Sequence, residues 1–403
     1  MPRCDPVAGV LGVLAIALAA CSPPRGLEAA RVLSDIAAGS GPSALKDRVP
    51  APTRTSLADP ESTQLLGDLY WPGEDAAAVL VLVPGAVKDG KDDPRLIAFA
   101  NTLARARFVV MVPEIPSLRT QRLSAEDARP IGAAIRYLGD CIAPAERTGS
   151  VGVAAISYAA GPAMLAALAP ANRDLVDFFA AIGGYYDIEA VITFFTTGYF
   201  REGPEAPWRY RKPNAYGKWV LVQANAARLT DPEDRTALAE IAARKLDDLN
   251  ADIADLRARL GPEGNALMAL LDNAEPDRVP ALIARLPAPI RADLAALDLE
   301  RRDLSQVPFD LILIHGRDDP IIPATESEAL AAAVPDDRVS LYVIDQLTHV
   351  DLSPGGLFDG LELWRAIYRL LAQRDAAPAP EPGRCRVHDR PARPMASAAA
   401  GTR

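Results

Sequence analysis

Ser157 stands where an apolar, β-rich run (Val151 to Ile156) changes with no intervening loop into an Ala/Leu/Met run (Tyr158 to Leu168). A strand that turns directly into a helix sets the residue at the bend on a tight corner, clear of both elements. The first N–H groups of the helix then point at the same spot. A hydroxyl so placed suits a nucleophile, with donors beside it for a developing negative charge. The usual form of the turn is G-x-S-x-G; Ala155 and Ala159 take the glycine positions here, one methyl each, with Gly161 two residues further on. Alone, the stretch fits a buried strand and a core helix with an incidental serine equally well, so the reading turns on partners elsewhere. Two clusters offer them. His315-Gly316-Arg317-Asp318-Asp319-Pro320 and Leu347-Thr348-His349-Val350-Asp351 each directly follow an apolar strand. Their carboxylates and imidazole therefore fall at the carboxyl end of a sheet, where open α/β folds hold their ligands.

The elements that must position these residues alternate in kind. Val79 to Val83 is a continuous β-branched and Leu run closed by Pro84-Gly85-Ala86, apolar on both faces as in the middle of a parallel sheet. Spacing predicts a helix over 94–107 (Leu96, Phe99, Ala100, Leu103), a strand over 108–112, and a helix over 124–138 opened by Ser124 as cap. Further strands are expected over 177–182, 309–314 and 339–344, with helices over 325–334 and 357–371. Such alternation predicts a doubly wound, mostly parallel α/β sheet. It is interrupted between Gly184 and Ser305 by about 120 residues with almost no strand signal. There, Asp231-Pro232 opens an apolar stripe from Leu238 to Leu260 that Gly261-Pro262 closes, and shorter helical pieces follow. The insertion leaves and rejoins the sheet at its ligand-bearing edge and is expected to cover it as a helical cap. Tyr185, Tyr186, Phe194, Phe195, Tyr199 and Phe200 would form an apolar wall for substrate.

With these residues in view, the chain resembles the serine hydrolases of the α/β-hydrolase fold, esterase- or lipase-like: Ser, Asp and His follow in that order, each just past a strand. The His-Gly-x-x-Asp-x-x-Ile-Pro run is similar to the acid-bearing turn of many esterases and peptidases of that group. The resemblance implies Ser157 as nucleophile, Asp319 as acid, with Asp318 as the alternative by one register, and His349 as base. It also implies an oxyanion hole from the backbone N–H groups of Tyr158 and Ala86, with Val87 as the register alternative. Of three histidines, His388 lies in a Pro/Ala-rich tail and His315 belongs to a strand end, where a packed, hydrogen-bonded role suits it. Pro84 stands where the family often has His before Gly85. The activity implied is cleavage of a carboxylic ester through an acyl-enzyme. A peptidase or thioesterase with the same triad, or a non-catalytic binding lipoprotein on a decayed hydrolase fold, are the alternatives.

The amino terminus carries Arg3, an apolar segment from Val7 to Ala20 and then Cys21. About fourteen apolar residues are too few to span a bilayer comfortably but fit a secretory signal. Leu18-Ala19-Ala20-Cys21 resembles the bacterial lipobox, whose Cys is lipidated, and Ser22 after it implies the outer membrane. The expected place is therefore the bacterial cell envelope, lipid-anchored and facing the periplasm. The implied organisation is a signal peptide over 1–20, a Pro/Ala/Gly-rich tether over 21–60 and core over 61–184. The cap over 185–305, core over 306–373 and a tail over 374–403 complete it. Cys141 and Cys385, in an oxidising compartment, are candidates for a disulfide.

Composition excludes other chemistries. The formal net charge is −10, and no Lys/Arg cluster with interleaved aromatics occurs, so nucleic acid is not an expected partner. Three His and four Cys show no zinc spacing, and neither a dinucleotide fingerprint nor a Walker loop is present, so no cofactor or metal is expected. Acidic stretches around Lys88 to Asp93 and Asp231 to Asp234 read as solvated faces. The expected partners are a small-molecule or lipid-like ester and, through the anchor, a membrane.

Overall fold

Four adjacent runs with no polar face, Ala78–Val83, Phe108–Pro113, Val151–Ile156 and Phe178–Ile182, lie side by side as the middle of one sheet. A computed structural model describes residues 22–58, 65–345, 347 and 357–376. In chain order the strands are β1 (Thr53–Ala58), β2 (Leu66–Trp71), β3 (Ala78–Val83), β4 (Phe108–Pro113), β5 (Val151–Ile156) and β6 (Phe178–Ile182). Two short strands of the insertion, β7 (Tyr199–Phe200) and β8 (Arg209–Tyr210), pair with each other, and β9 (Asp310–Gly316) and β10 (Val339–Ile344) follow. The eight-stranded sheet has the order β1-β2-β4-β3-β5-β6-β9-β10. Within this sheet β1–β2 and β2–β4 pair antiparallel and every other pair is parallel. Parallel neighbours need crossovers, and the crossover helices cover both faces.

The helices of eight residues or more are α1 (Pro23–Ala38), α2 (Pro94–Arg105), α3 (Ala128–Tyr137), α4 (Ala160–Leu168), α5 (Ile188–Thr197), α6 (Tyr216–Asn225), α7 (Pro232–Asp247), α8 (Pro262–Leu271), α9 (Ala288–Leu297), α10 (Thr325–Ala332) and α11 (Leu357–Asp375). One apolar core takes Val79, Val81, Val153 and Phe179 together with α3, α4 and the insertion. The other takes Leu80, Leu82, Phe178 and Ile312 with α1, α2 and α11. Each fully buried side chain of this size stabilises by about 1.5–3 kcal/mol.

Residues 22–58 are not a tether. They form α1, a short helix over Ala44–Arg48 and the edge strand β1. Helix α1 buries Ala29, Val32 and Leu33 and is pinned to α11: Trp364 Nε1 donates to the Gly26 carbonyl (2.8 Å), and Arg374 Nη2 meets Glu28 Oε2 (2.9 Å). Asp35 is fully buried and accepts from Lys46 (2.6 Å), Thr102 (2.6 Å) and Ser43. Local composition does not reveal this because several of the partners lie far along the chain, at Thr102 and beyond residue 363. Another difference concerns α7. It stops at Asp247, before the apolar stripe ends, because Asp248 Oδ1 accepts the Asn250 N–H (2.9 Å) and Asp252 Oδ1 the Ala254 N–H (2.9 Å). Side-chain bonds of this kind compete with the helical ladder. Ile253, Leu256 and Leu260 are buried all the same.

A folded amino-terminal segment has a measurable consequence. Asp35→Ala strands the partners of a buried carboxylate and is expected to cost about 2–3 kcal/mol in urea unfolding of the full chain, where a tether would show no change.

Candidate active site

Ser157 has φ +58°, in the left-handed region, between β5 and a single turn, Ser157–Ala159, that continues straight into α4. A non-glycine residue there costs on the order of 1–2 kcal/mol and persists only where the surroundings enforce it. Here β5 is held by β3 on one side and β6 on the other. Small residues of β6 and just beyond it leave room at the bend for Ala155 and Ala160. Ala155 stands opposite Ala181, and Gly184, just beyond β6, leaves room where a Cβ would come within 2.8 Å of the Ala160 methyl. Gly161 has a separate duty: a Cβ there would lie 1.9 Å from the Tyr185 hydroxyl.

The loop after β3 lies against this elbow. A Cβ on Gly85 would sit 3.8 Å from Ser157 Cβ. Pro84, Gly85, Ala86, Ser157 and Tyr158 all line one cavity of about 940 Å³. Within the loop the Val87 N–H donates to the Gly85 carbonyl (2.9 Å), so of the two registers for a donor toward substrate Val87 is already engaged. The Ala86 carbonyl accepts from the Tyr216 hydroxyl (2.9 Å), which in turn accepts from Gln121 Nε2 (2.8 Å). Tyr216 opens α6, and with it the insertion reaches the cavity.

The aromatic residues at the start of the insertion do not form the expected wall. Tyr185, Phe194 and Phe195 are buried in the core, Tyr185 donating to the Leu297 carbonyl (3.2 Å). Phe200 lies beneath the guanidinium groups of Arg209 and Arg211, and Tyr199 packs on Tyr210. The apolar side of the cavity comes instead from Ile36, Leu96, Phe99, Ile156 and Ile182. Sequence patterning could not single out Ile36, Phe99, Gln121 or Tyr216, because each acquires its place only when distant elements meet.

Asp319 follows β9 and is fully buried; its Oδ1 accepts the N–H groups of Ile321 (2.7 Å) and Ile322 (3.0 Å). Asp318 is directed elsewhere, paired with Arg211 Nη2 at 2.7 Å and largely exposed. His315 is fully buried, with Nδ1 2.7 Å from Ser327 Oγ and Nε2 2.9 Å from the Ile322 carbonyl, a packed residue as its strand-end position suggested. The Tyr158 phenol is held well above its ordinary pKa, by burial first and then by the Asp319 charge. His349 lies outside the described residues, as do Cys21 and Cys385. Cys141 is disulfide-bonded, its partner again outside them.

The acidic stretches find protein donors. Asp68 and Asp92 meet Arg54 and Lys91, and Asp234 accepts the N–H groups of Gly261 (2.6 Å) and Gly264 (2.9 Å). Among the described residues, Asp187, Asp298 and Glu300 are the carboxylates whose oxygens gather within 4.8 Å; Asp298 pairs with Arg301 (2.9 Å). They sit at the neck of the insertion, where the N–H groups of Leu299 and Glu300 donate to the Tyr186 carbonyl. Beside them Glu326 is buried and accepts from Tyr186 N (3.0 Å) and Asp187 N (2.8 Å).

The strand order, the two antiparallel pairs at one edge and the direct strand-to-helix turn at a left-handed serine define an α/β-hydrolase fold. No protein-family model and no curated protein matches the chain. Among solved structures it is similar to the rice cell wall degrading esterase LipA from Xanthomonas oryzae, with 15% identity over 77% of this chain and 85% of that one and a TM-score of 0.45. It is also similar to the Pyrococcus furiosus esterase Pf2001, with 12% identity over 83% and 94% and a TM-score of 0.42. For the 2,6-dihydroxy-pseudo-oxynicotine hydrolase the figures are 15% identity over 83% and 71% and a TM-score of 0.42.

The insertion neck generates a pH prediction. Burial, followed by the neighbouring Asp187 charge, pushes the Glu326 carboxyl up to about 8, and burial pushes Asp187 up to about 6. Folded-state values above the unfolded ones mean that the folded chain binds more protons in between. This stabilisation is complete below about pH 4 and is lost as pH rises through 6 and then 8. Glu326→Gln keeps an acceptor for both N–H groups without a charge, so it should raise the Tm at pH 8 relative to wild type and flatten the fall from pH 5 to 8 in thermal melts.

Proposed function

We propose that the chain is a serine hydrolase that cleaves a carboxylic ester through an acyl-enzyme on Ser157. The observation that carries this reading is the serine at φ +58° on a strand-to-helix corner, opening into the cavity that the Pro84–Val87 loop also lines. Ser157 Oγ attacks the carbonyl carbon while His349 takes its proton, and Asp319 holds the imidazole in the productive tautomer and stabilises its charge. The N–H groups of Ala86 and Tyr158 receive the oxyanion, in a site where fixed donors need no reorganisation. Collapse expels the alcohol, which takes the proton back from His349, and water repeats the sequence to free the acid. Ile36, Phe99, Ile156 and Ile182 suit an ester with an apolar substituent.

The reading includes lipidation at Cys21 and a place in the bacterial envelope, at the outer membrane facing the periplasm. Since α1 begins at Pro23, the folded domain would then sit at the bilayer surface instead of hanging from a long linker. Among the described residues no helix is long and apolar enough to cross a membrane.

Ser157→Ala is expected to abolish hydrolysis of p-nitrophenyl esters and labelling by a fluorophosphonate, with an unchanged melting curve. Asp319→Asn should lower kcat by roughly 10³ to 10⁴, whereas Asp318→Asn should stay within about threefold of wild type. Retained turnover in Ser157→Ala would sink the mechanism. For the anchor, Cys21→Ser should move the protein out of the membrane fraction; recovery there unchanged counts against lipidation.

A further inference from the structure

The segment from Arg211 to Tyr216 touches both halves of the proposed machinery. Arg211 Nη2 pairs with Asp318 at 2.7 Å, and the Asn214 N–H donates to the Pro320 carbonyl at 2.7 Å, so the segment is fastened to the turn that carries Asp319. Asn214 Oδ1 then accepts the Tyr216 N–H (3.0 Å), and the Tyr216 hydroxyl reaches the loop after β3 to bond the Ala86 carbonyl. That carbonyl belongs to the 86–87 peptide, whose N–H is bound to the Gly85 carbonyl. Both polar groups of one peptide are thus held, one by the loop itself and one by the insertion.

Proton direction in this contact is set by Gln121. Its Nε2 donates to the Tyr216 oxygen (2.8 Å), so the hydroxyl proton is left to point at the Ala86 carbonyl. Gln121 itself is held at φ +54°, a position a side chain rarely takes and one that is tolerated where geometry matters more than local comfort. Tyr216 is mostly buried, which raises its pKa and keeps the donor protonated. Behind it, a Cβ on Gly217 would lie 3.0 Å from the Tyr158 hydroxyl and 3.2 Å from Phe195, a tight fit that sets the start of α6 close against the elbow.

We infer that Tyr216, with Gln121 directing its proton, is a positioning residue for the oxyanion hole: it fixes the peptide after Ala86 and thereby the aim of the Ala86 N–H. This inference rests on the serine hydrolase reading above. Without the hydroxyl, a buried carbonyl loses its partner and the peptide gains a reason to rotate. The Ala86 donor then goes out of line with an oxygen that carries full charge only in the transition state, so kcat falls and KM does not. Complete loss of one such donor costs about 10²–10³ in kcat, and misalignment through a neighbour should cost about 10-fold or more.

The test is steady-state kinetics of the full chain on p-nitrophenyl acetate with Tyr216→Phe, Gln121→Glu, Gln121→Met and Ser157→Ala, each with a thermal melt. Tyr216→Phe should lower kcat about 10-fold or more with KM within about twofold, and weaken a boronic acid inhibitor in proportion. Gln121→Glu is nearly isosteric but its carboxylate only accepts, so it draws the hydroxyl proton away from Ala86 and should resemble Tyr216→Phe. Gln121→Met leaves the proton free to reach Ala86 and should retain more activity than Gln121→Glu. Should Tyr216→Phe fail to fold, the order of the two Gln121 variants decides. Tyr216→Phe with wild-type kcat, or Gln121→Glu at or above Gln121→Met, overturns the inference while an inactive Ser157→Ala leaves the hydrolase reading standing. An active Ser157→Ala removes that reading itself.

Discussion

A serine in the left-handed region at the end of the central strand is the constraint on which the rest of the architecture depends. Its cost of order 1–2 kcal/mol is modest beside the burial around it, but it must be imposed from both sides of the bend. Before the bend, β5 is locked between β3 and β6. Beyond the bend, α4 buries nearly its whole first turn, and Gly161 makes room there for the Tyr185 hydroxyl. Tyr185 in turn bonds the Leu297 carbonyl at the far end of the insertion. The corner, the first residues of the insertion and its last helix are therefore one packed unit. The methyl group of Ala155 meets only the small Ala181 across the sheet, and Gly184 leaves room for the Ala160 methyl at the start of α4.

Around this corner polar contacts join elements that are remote in sequence. The Arg211 to Tyr216 segment bridges the Asp319 turn and the Ala86 loop, and Gln121 completes the bridge from a third place. On the other side of the cavity α1 contributes Ile36, although α1 itself is held by α11 and by the Asp35 cluster. A cavity assembled from eight separate stretches takes its shape from global packing, so distant changes at the α1–α11 contact or the insertion neck reach it. The acidic surplus is compatible with this because many carboxylates are committed to Arg, Lys and backbone N–H groups.

Local patterning carries far in this chain where one element suffices to make the signal. The central strands have no polar face, and that needs only a window of residues to see; the Ser124 capping chemistry, with Asp127 answering, is equally local. It fails where the signal is a partner. α1 opens on Pro23-Pro24 and lies in a Pro/Ala/Gly-rich context, and much of its anchoring comes from Trp364, Arg374 and Thr102. β1 is an edge strand of mostly polar residues whose pairing with β2 supplies what its composition does not.

The alternation of buried strands and helices, the position of Ser157 at a loopless junction, and the place of Asp318 and Asp319 just past a strand are legible in the chain alone. Those properties follow from periodicity and order along the chain, which survive without knowledge of any contact. Tertiary structure alone decided that Asp319 is buried while Asp318 faces Arg211, and that Val87 is engaged by its own loop. It also decided that the early aromatics of the insertion belong to its core while Tyr216 and Ile36 face the cavity. The physical reason is that which way a side chain turns, and which donor a carbonyl finds, are set by neighbours that only folding brings within a few ångströms.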